Sequence, residues 1–299
     1  MPSKRLPLFS NWLRNVPLGI ECSGGPRMYW KMRVFLFVGC MGIALALVFA
    51  SSAMGQKMHG PKSSTESPID PNQPMGRSAL RQIVQEQCVV NWQEHHNPAP
   101  CERVVLADSK NAGSGYAVLA AGGGAHYLLV PTRTMAGIES SELLDPDAPN
   151  YFAEAWHARG LISSFIGHDA PRTAVGLAIG IAVSRAQDQF HVNIECLQQD
   201  AFRALRTSAD NLTDAWSPIA IAGSTYQTRR IMGEGLDASN LFELLAGLSP
   251  DARHHMGNYT LIVAGMQFKS GPGFALLTGT GPSGEILLDS SCSVAGGGG

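Results

Sequence analysis

The chain has little charge and few cysteines, and each shortage excludes a class of function. Asp, Glu, Lys and Arg make up 15% of the 299 residues, and the net charge is −2. This composition lacks the basic surface with which proteins bind nucleic acid, so no nucleic-acid partner is expected. The six cysteines include no CxxC pair or other metal-ligand spacing, so no metal site is predicted. What the sequence does contain is an apolar run near its beginning.

The apolar run covers Val34–Ala50 and follows the basic residues Lys31 and Arg33. About 17 apolar residues lie at the short end of what spans a bilayer, and the basic flank should stay in the cytoplasm. The segment after the run is then exported. The small residues Ser51–Ala53 also suit a signal peptidase, so a cleaved leader is an alternative to a permanent anchor. A buried core helix is a third possibility, which the all-round apolar surface of the run disfavours.

These features divide the chain into five parts. Met32 is also a candidate start, which would make the first part an annotation error. The parts are a cytoplasmic tail or misassigned start (1–31), a signal anchor or signal peptide (32–53), a flexible linker rich in Ser, Pro and Gly (54–78), a folded domain (79–292) and a glycine-rich tail (293–299).

Four cysteines lie beyond the apolar run, and export makes disulfides possible between them. Three pairings are possible. Cys88 with Cys101, which closes a short loop, is the first choice, and it leaves Cys196 to pair with Cys292. Four free thiols are the alternative.

The folded domain shows strand and helix patterns in alternation. Two apolar segments on either side of Gly122–Gly124 predict a hairpin, and Pro131 should end its second strand. The other predicted elements are a short helix (79–86), a helix (151–165) and a strand (175–183). A hairpin with interposed helices indicates an α+β fold with an antiparallel sheet and flanking helices.

The segment Gln189–Glu195 alternates polar and apolar residues, which predicts a half-buried strand. His191 would then share a face with the carboxamides of Gln189 and Asn193. A neutral imidazole can attack phosphorus, and amide N–H groups can hold phosphoryl oxygens. The alternative is a polar strand face exposed to water.

Several segments together resemble the histidine triad superfamily and, within it, the bacterial CDP-diacylglycerol pyrophosphatases. The resemblance covers roughly residues 79–292. The segments that carry it are Ile83-Val84 with Cys88, Asn91, His95–Cys101, Tyr127–Leu129, Pro131-Thr132, Gly137–Ser140, Leu144–Pro146, Asn150–Phe152, Ala155-Trp156, Ala158-Arg159, Ser184-Arg185, Gln187–Gln189, His255–Gly257, and Asp289 with Cys292.

The resemblance implies a histidine-triad-like fold and hydrolysis of CDP-diacylglycerol to CMP and phosphatidate. His191 takes the place of the family's central histidine, so a nucleotidyl-histidine intermediate is expected, with no cofactor. The expected partners are CDP-diacylglycerol and the lipid surface of the membrane. The expected location is the bacterial inner membrane with the domain in the periplasm, or the periplasm alone if the leader is cleaved.

Other polar residues are candidates for binding substrate. Ser184 and Arg185, together with Gln189 and Asn193, are predicted to contact phosphate, although a plain turn is an equal alternative for the first two. His95 and His96 are candidates for a substrate loop, with a surface loop pinned by a disulfide as the alternative.

Three positions depart from the family pattern. Asn193 stands where His is usual, Gly180-Ile181 where Asn-Ser is expected, and Ser290 where His is common. Asn cannot deliver a proton to a leaving group, so a degenerate protein that binds nucleotide or lipid without turnover is the alternative function. His126, at the start of a predicted strand, is interpreted as an ordinary surface or boundary residue.

Overall fold

The computed structural model describes residues 76–108 and 111–296. The predicted tail and anchor, and nearly all of the predicted linker, lie outside these residues. Within the described part, none of the helices has the length and apolar character needed to cross a membrane.

The described residues form an α+β fold with a large antiparallel sheet, as the sequence predicted. Its strands are β1 (Arg103–Asp108), β2 (Asn111–Ala120), β3 (Tyr127–Pro131), β4 (Val175–Ile179), β5 (Val192–Leu197), β6 (Ser217–Ile221), β7 (Ser224–Met232), β8 (Thr260–Phe268), β9 (Gly271–Gly279) and β10 (Leu288–Asp289). The helices are α1 (Ala79–Gln82), α2 (Val89–His95), α3 (Tyr151–Ala158), α4 (Gly160–Ile166), α5 (Gln199–Ser208), α6 (Leu241–Ala246) and α7 (Pro250–His254).

The strands lie in the order β1-β2-β3-β5-β4-β8-β9-β7-β6, and β10 pairs with β5. The predicted hairpin is confirmed as β2 and β3, with Val118 opposite Leu129. Strand β5 lies in the middle of this order, between β3 and β4. Side chains on β5 are therefore flanked by a strand on each side.

The two faces of the sheet are covered by different helices. One face packs on α3, α4 and α6 around Phe152 and Trp156. On the other face, α1 and α2 cover the β1–β3 end, whereas α5 and the segment leading into β10 cover the β8–β9 region. Val192 and Ile194 belong to the first face, and alternation along β5 turns Asn193 and Glu195 toward the second. These polar side chains therefore lie between two apolar clusters.

Two predicted elements end differently in the structure. The helix predicted over 151–165 is present as two helices, α3 and α4, separated at Arg159. The Nη1 of Arg159 donates to the Trp156 carbonyl at 2.7 Å. The strand predicted over 175–183 ends at Ile179. A turn follows Gly180, in which the Ser184 N–H donates to the Ile181 carbonyl at 3.2 Å. That turn lies next to the polar side chains of the second face.

Two disulfides lie within the described residues, between the same cysteines that the sequence analysis paired first. Cys88–Cys101 joins the N-terminal helices to the start of β1, with a Cα–Cα distance of 5.6 Å. Cys196–Cys292 joins β5 to the C-terminal segment across 96 positions, and closing so long a loop restricts the unfolded chain most. The second bond therefore holds β5 itself, whereas the first holds the N-terminal helices at the β1 end of the sheet.

Candidate active site

His191 lies one residue before β5 and points one ring nitrogen at the backbone. Its Nδ1 is 2.8 Å from the carbonyl oxygen of Gln189. A carbonyl can only accept, so Nδ1 carries the hydrogen and Nε2 keeps a free lone pair. Burial lowers the pKa of His191 from its ordinary value of 6.5. The ring is therefore neutral near pH 7 and has a lone pair on Nε2.

Gln189 has a different role from the predicted one. Its side chain is 1% exposed, and its amide nitrogen donates to the carbonyls of Pro131 and Arg133 at 3.1 and 2.8 Å. Its oxygen faces the N–H of Met135 at 3.4 Å. Both amide hydrogens are thus donated to backbone, and neither is left for a phosphoryl oxygen. Gln189 ties the segment after β3 to the segment that carries His191.

Asn193 is buried in a network of side chains and is not directed at open space. Its amide nitrogen donates to Glu285 Oε1 at 2.9 Å and, at 3.3 Å, to the carbonyl of Ala178. Its oxygen is 3.0 Å from Nε2 of His126, which must therefore donate. Asn193 thus positions Glu285 and His126, and its amide hydrogens are not available to a phosphate.

Glu285 is the site residue that the sequence analysis missed. Its Oε1 lies 4.0 Å from Nε2 of His191. The space for it is left by Gly180, because a Cβ there would lie 3.1 Å from Glu285 Oε1 and 2.7 Å from Ser283 Oγ. The glycine that departs from the family pattern thus admits a carboxylate beside the imidazole. Glu285 is 92 positions from Asn193, and no local pattern marks it.

His126 is also part of this cluster, which corrects its interpretation as an ordinary boundary residue. Its Nε2 lies 3.3 Å from Glu195 Oε1 in addition to its contact with Asn193. Burial raises the pKa of Glu195, and the neighbouring His126 opposes this shift. The pairing that brings it there is tertiary, because His126 precedes Tyr127 and Tyr127 pairs with Ile194 of β5.

Arg185 lines the small cavity at His191, whereas Ser184 belongs to a turn. The guanidinium of Arg185 is paired with Glu139 and lies 3.4 Å from Asp188. Its charge is therefore shared between two carboxylates before any phosphate arrives. The Ser184 hydroxyl donates to the Ile181 carbonyl at 3.4 Å, as expected for the plain-turn alternative.

His95 and His96 lie apart from this cavity. They are exposed at the C-terminal end of α2, where His96 adopts a left-handed conformation with φ of 52°. The neighbouring Cys88–Cys101 bond fits the alternative of a surface loop pinned by a disulfide. At the third departure, the Ser290 carbonyl accepts from the N–H of Ala125 at 2.8 Å and so supports the residue before His126.

The cluster has the parts needed for attack on an electrophile such as phosphorus. The Nε2 lone pair is oriented by a fixed Nδ1–H bond, and attack converts the neutral ring into a cation. The Glu285 carboxylate would offset that charge at close range. Independently of this geometry, residues 75–296 match a protein family model described as CDP-diacylglycerol pyrophosphatase.

Proposed function

Because the chain belongs to the CDP-diacylglycerol pyrophosphatase family and so is a hydrolase of that lipid's pyrophosphate bond, we propose that His191 is the nucleophile. One observation carries the proposal. The Nδ1–H of His191 is held by the Gln189 carbonyl, which leaves the Nε2 lone pair facing the cavity beside Glu285.

In the first step, Nε2 of His191 attacks the phosphorus attached to cytidine. An N–P bond forms and the bond from this phosphorus to the bridging oxygen breaks, so that phosphatidate leaves with the electron pair. The product is a cytidylyl-imidazolium that keeps its Nδ1–H bond to Gln189. The carboxylate of Glu285 stabilises this cation.

The leaving group explains why Asn193 is compatible with turnover. A phosphate monoester has a second pKa of about 6, so phosphatidate can depart near neutral pH without receiving a proton. A general acid at this position contributes much less than it would for an alkoxide leaving group. The histidine that the family pattern places here can thus be replaced by a residue that only positions its neighbours.

In the second step, water attacks the same phosphorus and the N–P bond breaks. Glu285 accepts the water's proton, because its carboxylate lies beside Nε2, where the bound phosphorus must be. CMP leaves, the imidazole returns to its neutral form, and Glu285 releases the proton to solvent. No cofactor enters this sequence.

We also place the enzyme at the inner membrane with its domain in the periplasm. Two features support this location: the apolar run of residues 34–50 after a basic flank, and two disulfides, which persist in oxidising compartments. An anchor would hold the domain at the surface where a diacyl substrate resides.

The intermediate is tested by rapid mixing with CDP-diacylglycerol, quenching in alkali, and mass spectrometry of peptides. We expect a cytidylyl group on the peptide that contains His191, formed and lost at rates compatible with turnover. CMP production with no modified histidine at any time would contradict the proposal. An absence of CMP under all conditions would favour the alternative of a binding protein.

The pH dependence of kcat/KM follows from the lowered pKa of His191. Protonation removes the Nε2 lone pair, so activity must fall as the pH drops through this pKa. Because burial lowers this pKa from 6.5, the acidic limb of the profile should be centred below pH 6.5. Circular dichroism at each pH controls for unfolding. An acidic limb centred above 6.5 would contradict the assignment.

A further inference from the structure

An apolar groove of about 600 Å³ lies between the N-terminal helices and the β2–β3 hairpin. This helix–hairpin groove is lined mainly by apolar side chains, among them Leu80, Ile83, Pro100, Leu119, Ala121 and Leu128. Its volume is in the range of pockets that hold small ligands. The mechanism proposed above does not use it.

The helix–hairpin groove lies next to the cluster of polar residues around His191. Leu128, which lines the groove, pairs with Asn193 across β3 and β5, and directly opposed side chains lie on the same face of the sheet. Gln187 also lines the groove, and its Oε1 accepts from the Leu80 N–H at 3.0 Å. Four residues after Gln187 the chain reaches His191. The groove therefore adjoins the residues around His191, through the Leu128–Asn193 pair and through the segment from Gln187 to His191.

We infer that the helix–hairpin groove binds the acyl chains of the diacyl substrate while His191 reacts with its phosphate. The inference rests on the proposed role of His191. The substrate has a polar nucleotide at one end of the pyrophosphate and hydrocarbon at the other. The protein has a small cavity bordered by His191, Arg185 and Glu285, and an apolar groove nearby. Each methylene transferred from water to such a surface is worth about a four-fold gain in affinity.

The polarity of the lining selects this occupant over the cytosine base. A base is recognised through hydrogen bonds to its edge, and these need free donors and acceptors. The groove has the carboxamides of Gln87 and Gln187, and the oxygen of Gln187 is already bonded to Leu80.

The test compares two substrates that share the pyrophosphate, long-chain CDP-diacylglycerol and chain-free CDP-glycerol, on the full-length protein at one detergent concentration. Ile83→Gln places a polar group in the groove wall. We expect kcat/KM to fall about 10-fold or more for the long-chain substrate and to stay within about two-fold for CDP-glycerol. Val90→Gln is the matched control, because Val90 is exposed on α2 and does not line the groove.

Ala121→Leu, which fills the groove and adds no polarity, keeps the test valid if Ile83→Gln fails to fold. It should produce the same selective loss. Equal losses on both substrates, or no loss on either, would overturn the inference and would indicate that the groove holds a protein segment or nothing. Failure of the proposed function gives a different result, because His191→Ala would then retain activity on both substrates.

Discussion

Replacing His191 with alanine is expected to lower kcat/KM for CDP-diacylglycerol by about 10⁴-fold or more. Loss of a covalent nucleophile removes the pathway itself, and other enzymes of this type lose several orders of magnitude. The measurement is CMP release followed by chromatography. His168→Ala is the matched control, because His168 is exposed in the turn after α4 and its Nδ1 lies 3.2 Å from the Asp169 carbonyl oxygen.

The fold should survive the His191 change, since the side chain is at the border of the core and its one strong bond is to backbone. Circular dichroism and thermal unfolding close to those of the unaltered protein establish this. A folded variant that keeps a tenth of the original rate would place the nucleophile elsewhere. The mass-spectrometric trap on the same variant should show no cytidylyl group.

Replacing Glu285 with glutamine is expected to lower kcat about 100-fold, the usual contribution of a positioned general base. The substitution keeps the shape and the acceptor for Asn193 while removing the charge beside Nε2. Because water activation is impaired, the cytidylyl-histidine should persist longer after quenching than in the unaltered enzyme. Glu243→Gln, at an ion pair on α6, is the charge-matched control.

Gly180→Ala reaches the same carboxylate without changing its charge. The added Cβ would lie within 3.1 Å of Glu285 Oε1, so the carboxylate must move and kcat should fall. Gly281→Ala is its control, since a Cβ there meets nothing within 4 Å. A normal kcat in both Glu285→Gln and Gly180→Ala would remove Glu285 from the mechanism.

The alternation around His191 predicted its surroundings only in part. Val192 and Ile194 do share the apolar face, and Asn193 lies on the other. The strand itself begins at Val192, whereas it was predicted from Gln189. Alternation reports which side of a segment is apolar, but a strand also needs a paired neighbour. The first residue of β5 that pairs with β3 is Val192, and the first that pairs with β4 is Asn193.

The unpaired stretch before β5 leaves the Gln189 carbonyl free for the imidazole of His191. If Gln189 lay within a paired strand, its carbonyl would accept a hydrogen bond from a neighbouring strand. Outside the ladder, the Gln189 carbonyl is available to accept from Nδ1 of the imidazole. The difference between the predicted and observed strand is therefore the feature that fixes the tautomer.

The sequence by itself determined the properties that depend on neighbours along the chain: the hairpin, the helices and the apolar face of β5. It also made His191 the candidate nucleophile. Periodicity and turn residues record these directly. Only the tertiary structure decided that Glu285 and His126 join His191 and Asn193, and that an apolar groove adjoins them. The contacts of His126 and Glu285 arise from the strand order β3-β5-β4 and from Gly180, which leaves space for the segment that carries Glu285. No local sequence pattern encodes either feature.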